Sequence, residues 1–345
     1  MTQTSPPVEP PKQQKRRSVG KLLLLLFRIG LIPPVLAAVF VVIPGPLQDT
    51  KTVVVQHGSS VYDIAALLDS KGVTYNPVIF RLASKIFAKD SLKAGEYQFA
   101  PRASILGVVR QLQEGRSVVR LVTVPEGLTS AEIVGLLNDI PLSGVVDASV
   151  AEGSLLPESY RYIYGDSRNG MIARMQKAMR DTLENLWAKR DPNVPIKTPA
   201  EALIMASIIE KETSKPEERA RVAGVFYNRL KNSMRLQSDP TVIYGLTQGK
   251  GPLERGLARN DLTTVTPYNT YTNDGLPPGP ICNPGRASIE AALHPETHDF
   301  LYFVADGTGG HVFAKELSEH NLNVVKWTKF RAQENAGQGV QPVVR

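Results

Sequence analysis

Residues 198–213 read TPAEALIMASIIEKET, a strongly apolar run that ends abruptly in charge. Thr198 and Glu201 have the spacing of a capping box, and Pro199 suits the first position of a helix. The run therefore predicts a helix that begins next to Thr198. Because it leaves almost no polar face, we expect this helix to be buried in the core of a domain.

The two glutamates near the end of this helix differ in their expected surroundings. Glu212 lies three and four residues after Ile209 and Ile208, so it continues the bulky apolar stripe, whereas Glu210 does not. A carboxyl group held against apolar surface at the negative end of a helix stays protonated near neutral pH, as a general acid requires. Glu212 is therefore the candidate catalytic acid and Glu210 a secondary candidate. The alternative is a solvated helix end with two ordinary surface glutamates.

The charge of the chain argues against nucleic-acid binding. The 345 residues suggest two or three domains and carry a formal charge of +7. Residues 1–28 contain six basic residues and one acidic residue, a net charge of +5, which leaves only +2 for the rest. A basic face on the body of the protein is therefore not expected.

The N-terminal region predicts a membrane anchor. Residues 22–43 form an apolar run that is interrupted only by Arg28 and a proline pair, and the run is long enough to span a bilayer. The basic tail of residues 1–21 before it predicts a cytoplasmic N-terminus, an inner-membrane location and an exported body. The alternative is a cleaved signal peptide that ends near Ala37.

Cysteine and histidine usage predicts neither a disulfide nor a metal site. Cys282 is the single cysteine, so an intramolecular disulfide is impossible, and we interpret it as a structural thiol. His294 and His298 have the spacing of zinc ligands on a helix, but no glutamate follows the first and Pro295 interrupts the pattern. No metal and no cofactor are expected.

The order of predicted elements indicates a mixed α+β protein. Residues 51–117 have a strand–helix–helix–strand order that resembles a small LysM-like module. Residues 118–330 predict a second, mixed α+β domain that would be catalytic, with a final helix over Leu317–Trp327. Residues 331–345 are expected to form a flexible tail.

Beyond Glu212, several short motifs occur in a fixed order along the second domain. They are ASIIEKET at 206–213, RL at 229–230 with LQSDPTVIYG at 236–245, PYNTY at 267–271, GLPPGPI at 275–281 and YFVADGTGGHVF at 302–313. In this order and spacing they closely resemble the YceG-like endolytic murein transglycosylases. The resemblance covers residues 118–327 and extends, less sharply, to the LysM-like region and the anchor.

The resemblance implies a specific reaction on peptidoglycan. Members of that family cut the β-1,4 bond between N-acetylmuramic acid and N-acetylglucosamine within glycan strands and leave 1,6-anhydro-muramyl ends. The catalytic residue of the family is the second glutamate of its Glu-Lys-Glu-Thr motif, which corresponds to Glu212. Because the 6-hydroxyl of the sugar closes the ring, one carboxyl can serve as acid and then as base. The implied role is to end or set the length of nascent strands, with glycan strands, the inner membrane and peptidoglycan synthases as partners.

Other polar and aromatic residues of these motifs are candidates for the same site. Asp239 is interpreted either as a turn residue or as a second carboxyl, and the tyrosines either as sugar-stacking groups or as loop packing. The candidates for substrate binding are Gln237, Ser238, Asp239, Tyr268, Asn269 and Tyr271. The secondary candidates are Glu210, Asp306, His311, His320 and Asn321.

Two other functions remain open at this point. One is a true glycoside hydrolase of peptidoglycan, which would use Asp239 or Asp306 as its second carboxyl. The other is a non-catalytic scaffold that binds murein through the LysM-like module. The reaction products distinguish the first alternative, and the effect of replacing Glu212 distinguishes the second.

Overall fold

The computed structural model describes residues 39–146 and 149–337, and the chain divides into two compact units at Val119 and Arg120. Both units combine helices with short strands, so the expected mixed α+β class is confirmed. Most of the predicted anchor at residues 22–43 lies outside the described residues. Within the described ranges, each helix is too short or too polar to cross a bilayer.

Over residues 51–114, the first unit contains two antiparallel strands and three helices. Strand β1 pairs with β2 so that Val53 lies opposite Tyr97. Both of these side chains are buried. The elements are β1 (Lys51–Val55), α1 (Val61–Ser70), α2 (Pro77–Phe87), β2 (Gly95–Phe99) and α3 (Ile105–Glu114). The strand–helix–helix–strand order is the one that the sequence predicts for residues 51–117.

In its described part, the second unit is mainly helical, with two short two-stranded sheets. Its first elements are β3 (Val119–Thr123), α4 (Ser130–Asn138), β4 (Ser159–Ile163), α5 (Arg168–Trp187) and α6 (Pro199–Glu212). Helices α7 (Arg219–Lys231), α8 (Asp239–Thr247) and α9 (Arg286–Leu293) follow, and the last elements are β5 (Tyr302–Ala305), β6 (His311–Ala314) and α10 (Leu317–Gly337). Strand β3 pairs with β4, and β5 pairs with β6 as an antiparallel hairpin.

Helix α6 is the central element of the second unit and carries Glu212 at its end. The capping box forms as predicted, because Thr198 Oγ1 accepts from the amide of Glu201 and the Glu201 carboxylate accepts from the amide of Thr198, each at 3.2 Å. Met205, Ile208 and five other side chains near them share one core with α5, α7 and α9. A helix that is apolar on nearly every side is thus enclosed by other helices.

Two features of this unit differ from the sequence-based expectation. Helix α8, which begins at Asp239, was not predicted, because its apolar periodicity is short and Pro240 suggests a turn. The last helix does not end at Trp327 but continues ten residues further, to Gly337. Polar residues on an exposed helix face do not reveal where the helix stops.

Candidate active site

Glu212 is the last residue of α6 and faces a cleft of about 450 Å³. The helix ends there because Thr213 adopts an extended conformation, and its amide donates to the carbonyl of Ile209 at 3.3 Å. The burial of α6 against its neighbours fixes the direction in which its last side chain points. The fold therefore presents one carboxyl at the boundary between an apolar core and an open cleft.

The hydroxyl of Ser238 holds the carboxyl of Glu212 in place. Ser238 Oγ donates to Glu212 Oε1 at 2.5 Å, and the side chain of Ser238 is almost completely buried. The amide of Ser238 donates to Thr270 Oγ1 at 3.0 Å, and Thr241 Oγ1 donates to the carbonyl of Ser238 at 2.6 Å. Because both the amide and the carbonyl of Ser238 are hydrogen-bonded, the serine hydroxyl is held in a fixed direction toward Glu212.

The residue before Ser238 has an unusual backbone conformation. Gln237 has a φ of 52°, in the left-handed region that non-glycine residues seldom adopt. Its amide donates to the carbonyl of Thr270 at 3.2 Å, and its side-chain oxygen accepts a very short hydrogen bond from Arg229. Arg229 also donates to the carbonyls of Arg235 and Leu301, at 2.8 and 3.1 Å. Arg229 thus stabilises the strained turn that delivers Ser238 to Glu212.

A second carboxyl, Asp239, lies next to this pair. Tyr271 donates its phenolic hydrogen to Asp239 Oδ1 at 2.6 Å, and both residues line the cleft. Burial, together with this bond to Asp239, raises the pKa of Tyr271 well above its ordinary value. The phenol therefore stays neutral and remains a donor at physiological pH.

The environment of Glu212 favours its protonated form. Burial raises the pKa of Glu212 to about 7, the bond from Ser238 partly opposes this effect, and the charge of Asp239 adds to it. A carboxyl with a pKa near neutrality can both release and take up a proton at ordinary pH. This agrees with the expectation from the apolar stripe of α6.

A buried glutamate–histidine pair lies beside Glu212. His311 Nδ1 lies 2.7 Å from Glu218 Oε2, and the amide of His311 donates to Glu218 Oε1 at 2.9 Å. Thr213, the residue after Glu212, donates its hydroxyl to Glu218 Oε2 at 3.2 Å. Although burial alone would raise the pKa of Glu218, the hydrogen bonds from His311 hold it below its ordinary value. Glu218 is thus a carboxylate that fixes the orientation of the His311 ring.

The opposite wall of the cleft comes from the hairpin and the last helix. Tyr302 of β5 stacks on the ring of His320, with centroids 5.2 Å apart. Burial, and then the charge of Arg229, lower the pKa of His320. The ring is therefore neutral near pH 7. Asn321, the next residue of α10, also lines the cleft.

The structure brings most of the predicted site residues to this cleft. Seven of them line it: Glu212, Gln237, Asp239, Tyr271, His311, His320 and Asn321. Ser238 does not line the cleft but lies behind Glu212 and binds it. Five of the seven come from motifs that are far apart in sequence, whereas His320 and Asn321 come from α10.

Two of the predicted sugar-binding residues lie elsewhere. Asn269 is completely buried, and its side-chain amide donates to the carbonyls of Leu262 and Thr264 at 3.1 and 2.7 Å. Its side-chain oxygen accepts from the amide of Tyr271 at 2.8 Å, so it shapes the loop that carries Tyr271. Tyr268 packs against Tyr244, with ring centroids 4.7 Å apart, and does not line the cleft.

Two of the secondary carboxyl candidates also lie outside the cleft. Glu210 is buried, where its Oε2 accepts from the amide of Gly285 at 2.8 Å and its Oε1 lies 3.7 Å from Arg219. Asp306 is exposed and accepts from the amides of Thr308 and Gly310 at 2.7 and 3.1 Å. These bonds, the one from Thr308 first, lower the pKa of Asp306. Asp306 is a hairpin-turn residue, and Glu210 is a structural acceptor at the start of α9.

Three residues that shape the site have roles that the sequence alone does not predict. Arg229 and Tyr302 lie within the sequence motifs, but the motifs do not indicate that Arg229 binds Gln237 or that Tyr302 stacks on His320. Glu218 was overlooked because its partner His311 is 93 residues away in the chain. A buried carboxylate paired with a distant histidine leaves no periodic signal in a sequence.

Comparison with known proteins identifies the family. The model of the YceG-like family matches residues 53–326. The endolytic murein transglycosylase of Bacillus subtilis is 32% identical over 323 residues, which cover 83% of this chain and 88% of that protein. The endolytic murein transglycosylase of Streptococcus pneumoniae (serotype 2) is 31% identical, over 80% of this chain and 58% of its own length.

A solved structure of a YceG-like protein from Listeria monocytogenes is 34% identical to this chain. It covers 79% of this chain and 98% of its own, with a TM-score of 0.48. The family model extends over both units, and the Bacillus subtilis protein is similar over most of its length. The chain is therefore a member of the YceG-like family.

Proposed function

We propose that this protein is an endolytic lytic transglycosylase of peptidoglycan that uses Glu212 as acid and then as base. The observation that carries the proposal is the position of Glu212, a carboxyl with a pKa of about 7 that faces a cleft. The relatives named endolytic murein transglycosylases support the choice of substrate and reaction. The cleft is polar enough for a sugar ligand, since it contains an arginine, a tyrosine–aspartate pair and two histidines.

The proposed reaction needs one carboxyl and no water. Protonated Glu212 gives its proton to the oxygen of the β-1,4 bond as the bond from that oxygen to the anomeric carbon of N-acetylmuramic acid breaks. The 6-hydroxyl oxygen of the same sugar bonds to the anomeric carbon, and its proton goes to the Glu212 carboxylate. The products are a strand with a 1,6-anhydro end and a strand with a free 4-hydroxyl, and Glu212 is protonated again.

The neighbours of Glu212 have distinct parts in this proposal. Ser238 orients the carboxyl and stabilises its anion after the first proton transfer. Asp239 keeps the pKa of Glu212 high through its charge, and it is itself occupied by the hydroxyl of Tyr271. Asp306, the other candidate for a second carboxyl, does not line the cleft, so the two-carboxyl hydrolase would have to depend on Asp239 alone.

The products of the purified enzyme test this function. Mass spectrometry of digested, uncross-linked glycan strands is expected to show 1,6-anhydro-muramyl ends, which are lighter by one water than reducing ends. Reducing muramyl ends would establish the hydrolase instead. Glu212→Gln is expected to slow cleavage by about 10²- to 10⁴-fold. Glu210→Gln is the matched control, since Glu210 does not face the cleft and its replacement should leave the products unchanged.

We also propose that residues 22–43 anchor the protein in the inner membrane, with the catalytic unit outside the cytoplasm. The basic tail and the apolar run of the sequence support this orientation. A reporter fused to the C-terminus is expected to be active only if it functions outside the cytoplasm. Protection of the C-terminal unit from protease in intact spheroplasts would contradict the orientation.

The proposed cellular role is to end nascent glycan strands, with peptidoglycan synthases as partners. A deletion strain is expected to contain longer strands, and Glu212→Gln is expected not to restore their length. Full restoration by Glu212→Gln would favour the non-catalytic scaffold. The first unit would serve this role as a LysM-like module, which the pairing of β1 with β2 around two helices supports.

A further inference from the structure

A second cavity lies next to the cleft on the other side of Glu212. It has a volume of about 250 Å³ and shares three lining residues with the cleft, namely Glu212, Ala305 and His311. The two cavities therefore meet at the proposed acid and at the ring that Glu218 orients. A ligand that runs from one cavity into the other would pass the three shared residues, which include Glu212.

The β5–β6 hairpin forms one edge of both cavities. The strand residues from Tyr302 to Ala305 border the cleft, and the turn glycines Gly307, Gly309 and Gly310 border the second cavity. A Cβ atom at Gly309 would meet no other atom within 4 Å, so this part of the edge is open. The hairpin thus forms one edge of both cavities. The side chains of β5 line the cleft, and the glycine backbone of the turn lines the second cavity.

Helix α10 forms another wall along the same path. His320 and Asn321 line the cleft, and Trp327 lines the second cavity. Trp327 follows His320 by seven positions, about two helical turns, so both lie on one face and are about 10.5 Å apart along the helix axis. This separation is comparable to the length of a disaccharide unit.

Trp327 has the properties of a platform for a sugar ring. Its indole is partly buried, stacks against Phe330 with centroids 5.9 Å apart, and has the guanidinium of Arg331 5.8 Å from its ring. Phe330 in turn packs against the backbone of Gly307. The indole is therefore supported by other groups, and a broad aromatic face at the wall of a cavity suits the apolar face of a sugar.

We propose that the second cavity is a saccharide subsite, in which Trp327 stacks on a sugar ring across the scissile bond from the sugars in the cleft. The inference rests on the proposed function, because a cut inside a strand requires sugars on both sides of the bond. The cavities meet at Glu212, so one glycan strand occupies both of them. Trp327 is then a specificity-determining residue that makes the enzyme act within strands.

Intrinsic fluorescence tests the subsite directly, since the chain contains only two tryptophans. Trp187 lies on α5 with the guanidinium of Arg190 4.1 Å from its ring and lines neither cavity. In full-length protein carrying Glu212→Gln to prevent turnover, Trp187→Phe leaves Trp327 as the reporter, and Trp327→Phe leaves Trp187. The probe is purified, uncross-linked glycan strands from which the stem peptides have been removed.

We expect these bare strands to shift the emission of Trp327 and to protect it from acrylamide quenching, with no change at Trp187. If calorimetry shows that the strands bind but Trp327 does not respond, the proposal is overturned. A response only to strands that still carry stem peptides also overturns it, because the cavity would then hold peptide and not sugar.

Kinetics of Trp327→Ala in the otherwise native chain provide the second test. The KM for long strands is expected to rise about tenfold with little change in kcat, while Trp327→Phe retains most of the affinity. The share of cuts within strands is expected to fall relative to cuts near strand ends. Trp187→Ala is the matched control, and thermal unfolding shows whether each variant is folded.

The outcomes separate this inference from the proposed function. If the wild-type enzyme produces no 1,6-anhydro ends, the proposed function fails. If it produces them and Trp327→Ala keeps the wild-type KM and cutting pattern, only the subsite fails.

Discussion

Ser238 and Glu212 join the loop before α8 to the end of α6 through a hydrogen bond, with 2.5 Å between the serine hydroxyl and the carboxyl oxygen. The two residues come from different motifs, 26 positions apart in the chain. The bond opposes the effect of burial on the pKa of Glu212, so this serine tunes the proposed acid as well as orienting it.

Replacing Ser238 with alanine is expected to lower kcat by about tenfold, because the carboxyl loses its orienting bond. The same change removes a bond that favours the anion, so the pKa of Glu212 should rise and the alkaline limb of the pH–rate profile should move to higher pH. The measurement is kcat as a function of pH on uncross-linked strands.

Ser288→Ala is the matched control for this variant. Ser288 is also completely buried in the second unit, but its hydroxyl has no hydrogen-bond partner. It should leave kcat and the pH profile unchanged. An unshifted alkaline limb in Ser238→Ala would show that the serine does not tune Glu212.

The wild-type rate is expected to fall as pH rises through about 7, where Glu212 loses its proton. The acid must be protonated before the first step, so the loss follows the fraction of protonated Glu212. Initial rates of strand cleavage between pH 5 and 9 measure this dependence. A profile that stays flat to alkaline pH would rule out Glu212 as a single acid–base group.

Glu212→Gln is expected to stabilise the fold at alkaline pH while it slows cleavage. The folded pKa of about 7 lies above the usual 4.5, so the folded state holds the proton more tightly than the unfolded state between these values. The free energy of unfolding of the wild type therefore falls as pH rises across this window, by about 3 kcal/mol in total. Thermal unfolding should show the variant to be more stable at pH 8 and equal to the wild type near pH 4.

Glu218→Gln is expected to show the opposite pH dependence. The pKa of Glu218 is lowered in the fold, so its carboxylate stabilises the protein above the usual value of 4.5, and this contribution disappears as pH falls below that value. At pH 7 the variant should lose about 1 to 3 kcal/mol of stability, because a buried charge-assisted bond to His311 is lost. Equal stability of variant and wild type at pH 7 would show that the bond contributes nothing.

Gly310→Ala is expected to disturb the same pair by steric contact. A Cβ atom at Gly310 would lie 2.6 Å from Glu218 Oε1, which His311 holds in place. The expected cost is about 1 to 3 kcal/mol, with a loss of strand cleavage because the His311 ring moves. Gly135→Ala is the control: this glycine is within α4 and has no neighbour near its Cβ position, so alanine should gain about 0.5 to 1 kcal/mol. Denaturant unfolding measures both variants.

The sequence predicted the elements with strong local signals. The capping box at Thr198 and the apolar run behind it defined α6, and the apolar stripe favoured Glu212 over Glu210 as the candidate acid. These signals depend on residues a few positions apart, and the structure keeps that local order. Three of the four other motifs supply residues that line the cleft, but residues 275–281 do not line it.

The roles of individual loop residues were less predictable. Asn269 and Tyr268 occur in a motif that points to sugar binding, yet one ties its own loop together and the other packs against Tyr244. Whether a polar residue faces the ligand or its own backbone depends on contacts between distant segments. The same limitation hid Glu218, whose partner His311 follows much later in the chain.

The burial of Glu212 has a consequence for protein engineering. Because deprotonation of this carboxyl weakens the fold, a laboratory selection for thermal stability above neutral pH would favour chains that have replaced it. Such a selection would enrich variants that lack the proposed acid. Selection in mildly acidic medium, where the carboxyl holds its proton, removes this conflict and allows stability to improve while the proposed acid is retained.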